Sequence, residues 1–172
     1  MSRTFPMMNL LLFGLMAPLV QAASLPAGLD KLAAYAGTWQ TESKSFVTAY
    51  SKAGQQHATL QNDCWRSGDF YACHQSVDGK SAALVVFLYN IKTDTYITHA
   101  IPADGGAASD GILSIKSNTW TFPWQSSEQG KPVYFHVINV FTDRNHIEYR
   151  QEFSRDNRHW TVMTKGRDIR MQ

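Results

Sequence analysis

The sequence is short of charge, of cysteine and of recognisable catalytic motifs. Only 17% of its 172 residues are charged, Lys+Arg 16 against Asp+Glu 14, for a formal net charge of +2. That balance gives no electrostatic footprint for nucleic acid or an anionic membrane surface. A hydrophobic share of 44% is too high for a disordered chain. No Gly-x-Ser-x-Gly, His-Glu-x-x-His or paired-carboxylate pattern occurs. The histidines (His57, His74, His99, His136, His146 and His159) show no metal spacing such as HxxxH or HxH, and no CxxCH exists for covalent haem. Neither a metal nor a cofactor is therefore expected. Repeats, low-complexity tracts and linkers are also missing, which points to one domain.

Long apolar runs are absent after the first residues. Met7 to Val20 is almost continuously apolar, follows the lone charge of Arg3, and leads into Val20-Gln21-Ala22. At about 14 residues the run falls short of the ~20 needed to span a bilayer, and Pro18 interrupts it. It reads as a secretory signal peptide over residues 1–22, cleaved after Ala22, with the mature domain over 23–172. The expected location is periplasmic or secreted, with no stable membrane insertion after cleavage.

What is present reads as β-structure. Leu29–Ala36 gives one or two helical turns ended by Gly37. Beyond it, short segments alternate or run apolar, as in Ala82–Tyr89, Thr95–Ile101 and Pro132–Phe141, with turn residues between. Many short strands at such spacing make a sandwich or barrel.

Cys64 and Cys73, the only cysteines, flank a Gly68-Asp69 hairpin loop that pairs Ser67 with Phe70 and, by counting back, Cys64 with Cys73. That is a non-hydrogen-bonded pair, close enough for a disulfide; a reactive dithiol is the alternative. The same register sets Asp63 opposite His74, either as a cross-strand ion pair or as an acid–base pair. A Ser117-Asn118 loop pairs Ile115 with Trp120 and Leu113 with Phe122. A four-residue loop from Arg155 to Arg158 would pair Phe153 with Trp160, Gln151 with Val162, Tyr149 with Thr164 and Glu148 with Lys165. The basic residues after Arg144, partly matched by Glu148, Glu152, Asp156 and Asp168, read as a solvated face.

Gly37-Thr38-Trp39, opening the first strand after a short helix, resembles the Gly-x-Trp signature of lipocalins and their calycin relatives. The Tyr89–Tyr96 hairpin and the Ser154-Arg155-Asp156-Asn157-Arg158-His159-Trp160 turn are similar to the lipocalin-like domains of exported bacterial proteins. The resemblance spans residues 29–170. It implies that Trp39 packs across the closed base of an antiparallel barrel and that an Arg near the end of the last strand, here Arg170, covers it. The expected fold is all-β: a single antiparallel calycin-like β-barrel of about eight to ten strands after a short N-terminal helix.

Trp120, Phe122 and Trp124 share one face of one strand; Trp65, Phe135, Tyr149, Phe153 and Trp160 could join them inside the barrel. Such rings either fill a core or line a cup for a small apolar or planar ligand. His99 and His136 lie among apolar neighbours and read as buried histidines or as interior haem or metal ligands. Asp104–Gly111 is a connector or a flap at the mouth. The expected function is non-catalytic binding of a small apolar ligand. The alternatives are a barrel hydrolase or isomerase using a His–carboxylate pair at His74 or His99, and an envelope protein–protein interaction module.

Overall fold

The computed structural model describes residues 27–172; the expected signal peptide lies outside them. A 3-10 helix (Ala27–Tyr35) precedes ten strands: β1 (Gly37–Ser45), β2 (Gly54–Ser67), β3 (Phe70–Val77), β4 (Lys80–Asn90), β5 (Thr95–Pro102), β6 (Ser109–Lys116), β7 (Thr119–Glu128), β8 (Lys131–Asp143), β9 (His146–Ser154) and β10 (Thr161–Arg170). Each strand pairs antiparallel with the next, and β1 pairs with β10, so the sheet closes into a ten-stranded barrel. Closure removes both free edges.

The helix seals one end. With three residues per turn, Leu29, Leu32 and Tyr35 fall on one face; Leu29 and Leu32 are fully buried. Trp39 lies beneath them, also fully buried, edge-on to Phe141. Its indole N–H donates to the Tyr35 carbonyl at 3.1 Å. The Arg170 guanidinium stacks 4.0 Å over the Trp39 ring and donates to the carbonyls of Ala34, Ala36 and Arg144. Gly37 sits at φ +115°, and any side chain there would strike that guanidinium. The helix is held from its other side by the Tyr96 hydroxyl, which donates to the Gly28 carbonyl.

The hairpin expected at the cysteines forms in the expected register: Ser67 faces Phe70, Asp63 faces His74, and Cys64 faces Cys73 with 4.0 Å between Cα atoms. The two are disulfide-bonded, and Cys73 is buried in the barrel interior. Ile115 pairs with Trp120 as expected, but the β6–β7 ladder ends at Ser114–Thr121, before Leu113 can meet Phe122.

The last hairpin differs from the expected register. Its loop is longer, because Asp156 fixes it: the carboxylate accepts the backbone N–H groups of Arg158 and His159 and bonds the Ser154 hydroxyl and the His159 ring. A bulge at Met163 then shifts the ladder, so Glu148 faces Arg167 and Gln151 faces Thr164. Trp160 is left in the loop, outside the ladder.

Apolar Ala82–Tyr89 is explained by both faces of β4. Val85, Phe87 and Tyr89 turn towards the core, whereas Leu84, Val86 and Leu88 belong to the outer face, opposite Ile101, His99 and Ile97 of β5. Two clusters fill the barrel ends. Leu29, Leu32, Trp39, Tyr96, Trp120 and Phe141 are among the residues of the helix-side cluster. Val133, Phe135, Phe153 and Met163 form the other, with Tyr50 of the β1–β2 connection packed on it. Phe135 precedes Phe141 by six residues on β8, so roughly 20 Å of strand separates the two plugs.

Candidate functional site

Between the plugs two cavities open, bordered by polar, aliphatic and aromatic side chains. One, of 290 Å³, is lined mainly by Val85, Phe87, Ala100 and Phe122, with Gln75 and Thr98. The other, of 210 Å³, is lined by Thr41, Leu60, Tyr149 and Asp168. Tyr35, Val137 and Asn139 border both. The ladder explains the grouping: Phe122 faces Val137, Asn139 faces Tyr149, Thr41 faces Asp168 and Val85 faces Ala100, all on the face that carries Trp39 and Trp120. An apolar chamber and a polar chamber thus meet at one shared wall.

The polar chamber has its own order. The Tyr149 hydroxyl lies 3.3 Å from the Thr41 hydroxyl. Tyr149 can lie there because Gly166, on the next strand, has no side chain: a Cβ at 166 would strike the Tyr149 ring and come within 2.5 Å of the Glu42 carbonyl. Gly166→Ala should therefore displace the ring and lower stability by at least ~1 kcal/mol, read by urea unfolding. Asn62 donates to the Tyr35 carbonyl at 3.2 Å and accepts from Gln75 at 2.9 Å. Burial, with the Asp168 charge adding, pushes the Tyr35 hydroxyl up to about 12.

Asp168 is the anomaly. It is only 7% exposed, its Oδ1 has no hydrogen-bond partner, and it joins no ion pair among the described residues. Burial raises its pKa above the ordinary 3.8, and the Thr41 hydroxyl offsets only part of that. A raised value in the fold means that the stability contributed by the protonated form is complete below about 3.8 and is lost as pH rises through the raised value. Asp168→Asn should consequently gain on the parent as pH rises above 3.8, measured as the difference in urea midpoint. A difference that stays flat between about pH 3 and 7 would contradict this, since no proton would then be linked to folding at this site (about 1.4 kcal/mol per pKa unit).

The aromatic residues expected to line a cup divide. Trp120 is buried in the helix-side plug, and Phe122 borders the apolar chamber. Tyr149 borders the polar chamber. Phe135 and Phe153 form the far plug, with Trp124 stacked on Phe135 at 5.3 Å. Trp65 and Trp160 do not reach the interior. Trp65 is 48% exposed, because its neighbour Cys64 takes the inward position and strand side chains alternate. Trp160 stacks on His136 at 3.7 Å, on the outer face.

No histidine borders either chamber. His74 faces Asp63 but bonds the Ser81 hydroxyl at 2.8 Å, while Asp63 accepts from Gln61. His99 pairs with Asp110 at 2.6 Å, and His136 with Glu152 at 2.6 Å, both on the outer face rather than among core neighbours. Among the described residues, no group of three or more His, Cys, Asp or Glu could hold a metal ion. Asp168, read from sequence as part of a solvated face, lies inside instead, and Tyr35 joins it from the helix; an isolated Asp between Arg167 and Ile169 carries no local sign of which face it takes. A larger outer groove of 400 Å³, lined by Glu42, Lys44, His57, Lys165 and Arg167 among others, is a charged surface whose Arg167 and Glu42 already pair at 2.7 Å.

No family model matches the chain. Nor does any curated protein. Among solved structures, the crystal structure of Rv2717c from M. tuberculosis superposes with a TM-score of 0.50 at 11% identity, covering 87% of this chain and 100% of that one. The S-type phycobiliprotein lyase CPES from Guillardia theta superposes with a TM-score of 0.53 at 7% identity, covering 83% of this chain and 92% of that one. At such identities the likeness is one of fold: this chain is an all-β protein with a single closed, calycin-like barrel.

Proposed function

We propose that the protein is an exported, non-catalytic carrier or receptor that binds one small molecule inside its barrel. Export follows from the sequence reading of a signal peptide at residues 1–22. The disulfide is compatible with it, and no helix among the described residues is long and apolar enough to cross a membrane. The observation that carries the binding reading is the pair of interior chambers sharing the wall of Tyr35, Val137 and Asn139. Together they suit a ligand with an apolar body and a polar end. The likeness to a phycobiliprotein lyase supports a small ligand held in a barrel of this shape. Among the described residues, every His–carboxylate pair lies on the outer face of the barrel or in a turn, which favours binding over acid–base chemistry in the interior.

Native mass spectrometry of protein purified from its own compartment tests this reading, with denaturing extraction of anything bound. A co-purified small molecule, lost in Val137→Trp, is the expected result, since the larger ring fills the shared wall. A clean apo mass, with no change in Trp fluorescence across a panel of apolar ligands, removes the reading.

One surface favours a second reading. Phe70 faces Leu88, Leu88 faces Ile97, and Ile97 faces Ile112, a row of apolar side chains across β3, β4, β5 and β6. Phe70, Ile97 and Ile112 are exposed to solvent. A contiguous apolar row of this kind fits the face of a protein-interaction module. Ile97→Lys with Ile112→Lys would then abolish any complex captured by crosslinking in the native compartment and leave ligand binding intact. Unchanged crosslinking removes this second reading.

A further inference from the structure

Resting on the reading of the barrel as a ligand cup, we infer that its ligand carries a cationic, N–H-bearing head, and that Asp168 is the acceptor for that head. The argument starts from an imbalance. Asp168 borders the polar chamber, is more than nine-tenths buried, and leaves Oδ1 without a partner. A buried carboxylate is strongly disfavoured unless hydrogen bonds or an opposite charge compensate it. Thr41 from β1, Tyr149 from β9, Asn139 from β8 and Tyr35 from the helix border the same chamber, and none of them carries a positive charge. The nearest cation along the strand on the inward face, Arg170, is committed to the Trp39 ring and three carbonyls at the barrel base. The molecule therefore supplies hydroxyls around the carboxylate and no cation for it.

A primary or secondary ammonium group fits that environment in charge and in hydrogen bonding. It would donate to the Asp168 carboxylate, and the hydroxyls of Thr41 and Tyr149 can accept hydrogen bonds from its remaining N–H groups. The apolar body would pass the wall of Val137 and lie against Phe87, Ala100 and Phe122. A carboxylate-headed ligand such as a fatty acid would set two negative charges in one chamber, so the same feature selects against it.

Three probes with one tail test the inference: phenylbutylamine, phenylbutanol and phenylbutanoate, titrated into the full mature protein by calorimetry at about pH 7. The amine should bind about tenfold or more tighter than the alcohol, as a charge-assisted hydrogen bond in a buried site implies, and the acid should bind weakest. In Asp168→Asn the amine should lose its advantage over the alcohol. Equal binding of amine and alcohol by the parent protein overturns the assignment of Asp168 and leaves the cup reading standing. So does an amine preference that survives in Asp168→Asn. Binding of none of the three, together with a clean apo mass, overturns the cup reading and this inference with it. The comparison among probes on the parent protein needs no variant, so a poorly folding Asp168→Asn would not blunt it.

Discussion

Replacing Trp39 with alanine should cost about 3–5 kcal/mol of folding stability, the range for removing a fully buried large aromatic ring. The indole is fully buried, and three partners depend on it. Phe141 meets it edge-on with 6.5 Å between ring centroids, Arg170 stacks on it at 4.0 Å, and its N–H satisfies the Tyr35 carbonyl at the end of the helix. Alanine would leave a cavity under Leu29 and Leu32 and leave the guanidinium without its ring. Urea unfolding followed by far-UV circular dichroism measures the loss. Trp39→Phe separates the contributions: it keeps most of the ring and loses the N–H, so it should cost clearly less than alanine. Equal costs for the two would show that the hydrogen bond, rather than the packing, holds the base.

The disulfide gives the second large effect. Cys64 and Cys73 are separated by 9 residues in sequence, and closing so short a loop stabilises by about 2–3 kcal/mol through the unfolded state. Cys73 is buried in the helix-side core, so Cys64→Ala with Cys73→Ala also removes packed sulfur there. The double variant should unfold at lower urea by an amount equivalent to at least ~2 kcal/mol, and the parent should follow it under reducing conditions. A parent protein whose unfolding midpoint ignores reductant would show that the hairpin is held by its ladder and turn alone.

How far the fold could be read from the sequence depended on how local the determining contacts are. The Cys64–Cys73 hairpin was legible because Gly68-Asp69 fixes a two-residue turn, and counting from a tight turn has no slack. The same counting failed at the last hairpin. There Asp156 organises a longer loop through two backbone N–H groups, and Met163 adds a bulge that no turn residue announces. Beyond the bulge Arg170 stacks on Trp39 and shares its face with Asp168 and Thr164. The barrel itself was legible from many short strands, and its strand number of ten lay within the expected range.

The site was legible in part. Phe122 and Tyr149 border the chambers because their strand positions turn them inward. Trp65 and Trp160 were grouped with them by residue type, and the alternation of strand side chains and a long loop put both outside. Asp168 was hidden because it stands among Lys165, Arg167 and Arg170, where an acid reads as one more surface charge. Only the closure of β10 against β1, which sets Asp168 beside Thr41, turns it inward. That pairing joins the two ends of the domain, and no short window of sequence contains it.

The seam between β1 and β10 also governs when the molecule acquires an interior at all. Arg170 reaches the Ala34 carbonyl across 136 residues of chain, among the longest loops the domain can close. Contacts this distant in sequence form late and slow folding, because the chain entropy of bringing the ends together is met before the contact is gained. A chain emerging N-terminus first from a ribosome therefore leaves Trp39 without its Arg170 cover until β10, Thr161–Arg170, is free. Without β10 the same pairing order would leave β1 and β9 as two unpaired edges, the kind of edge most exposed to aggregation. The vulnerable period in the life of this barrel is set by its final strand.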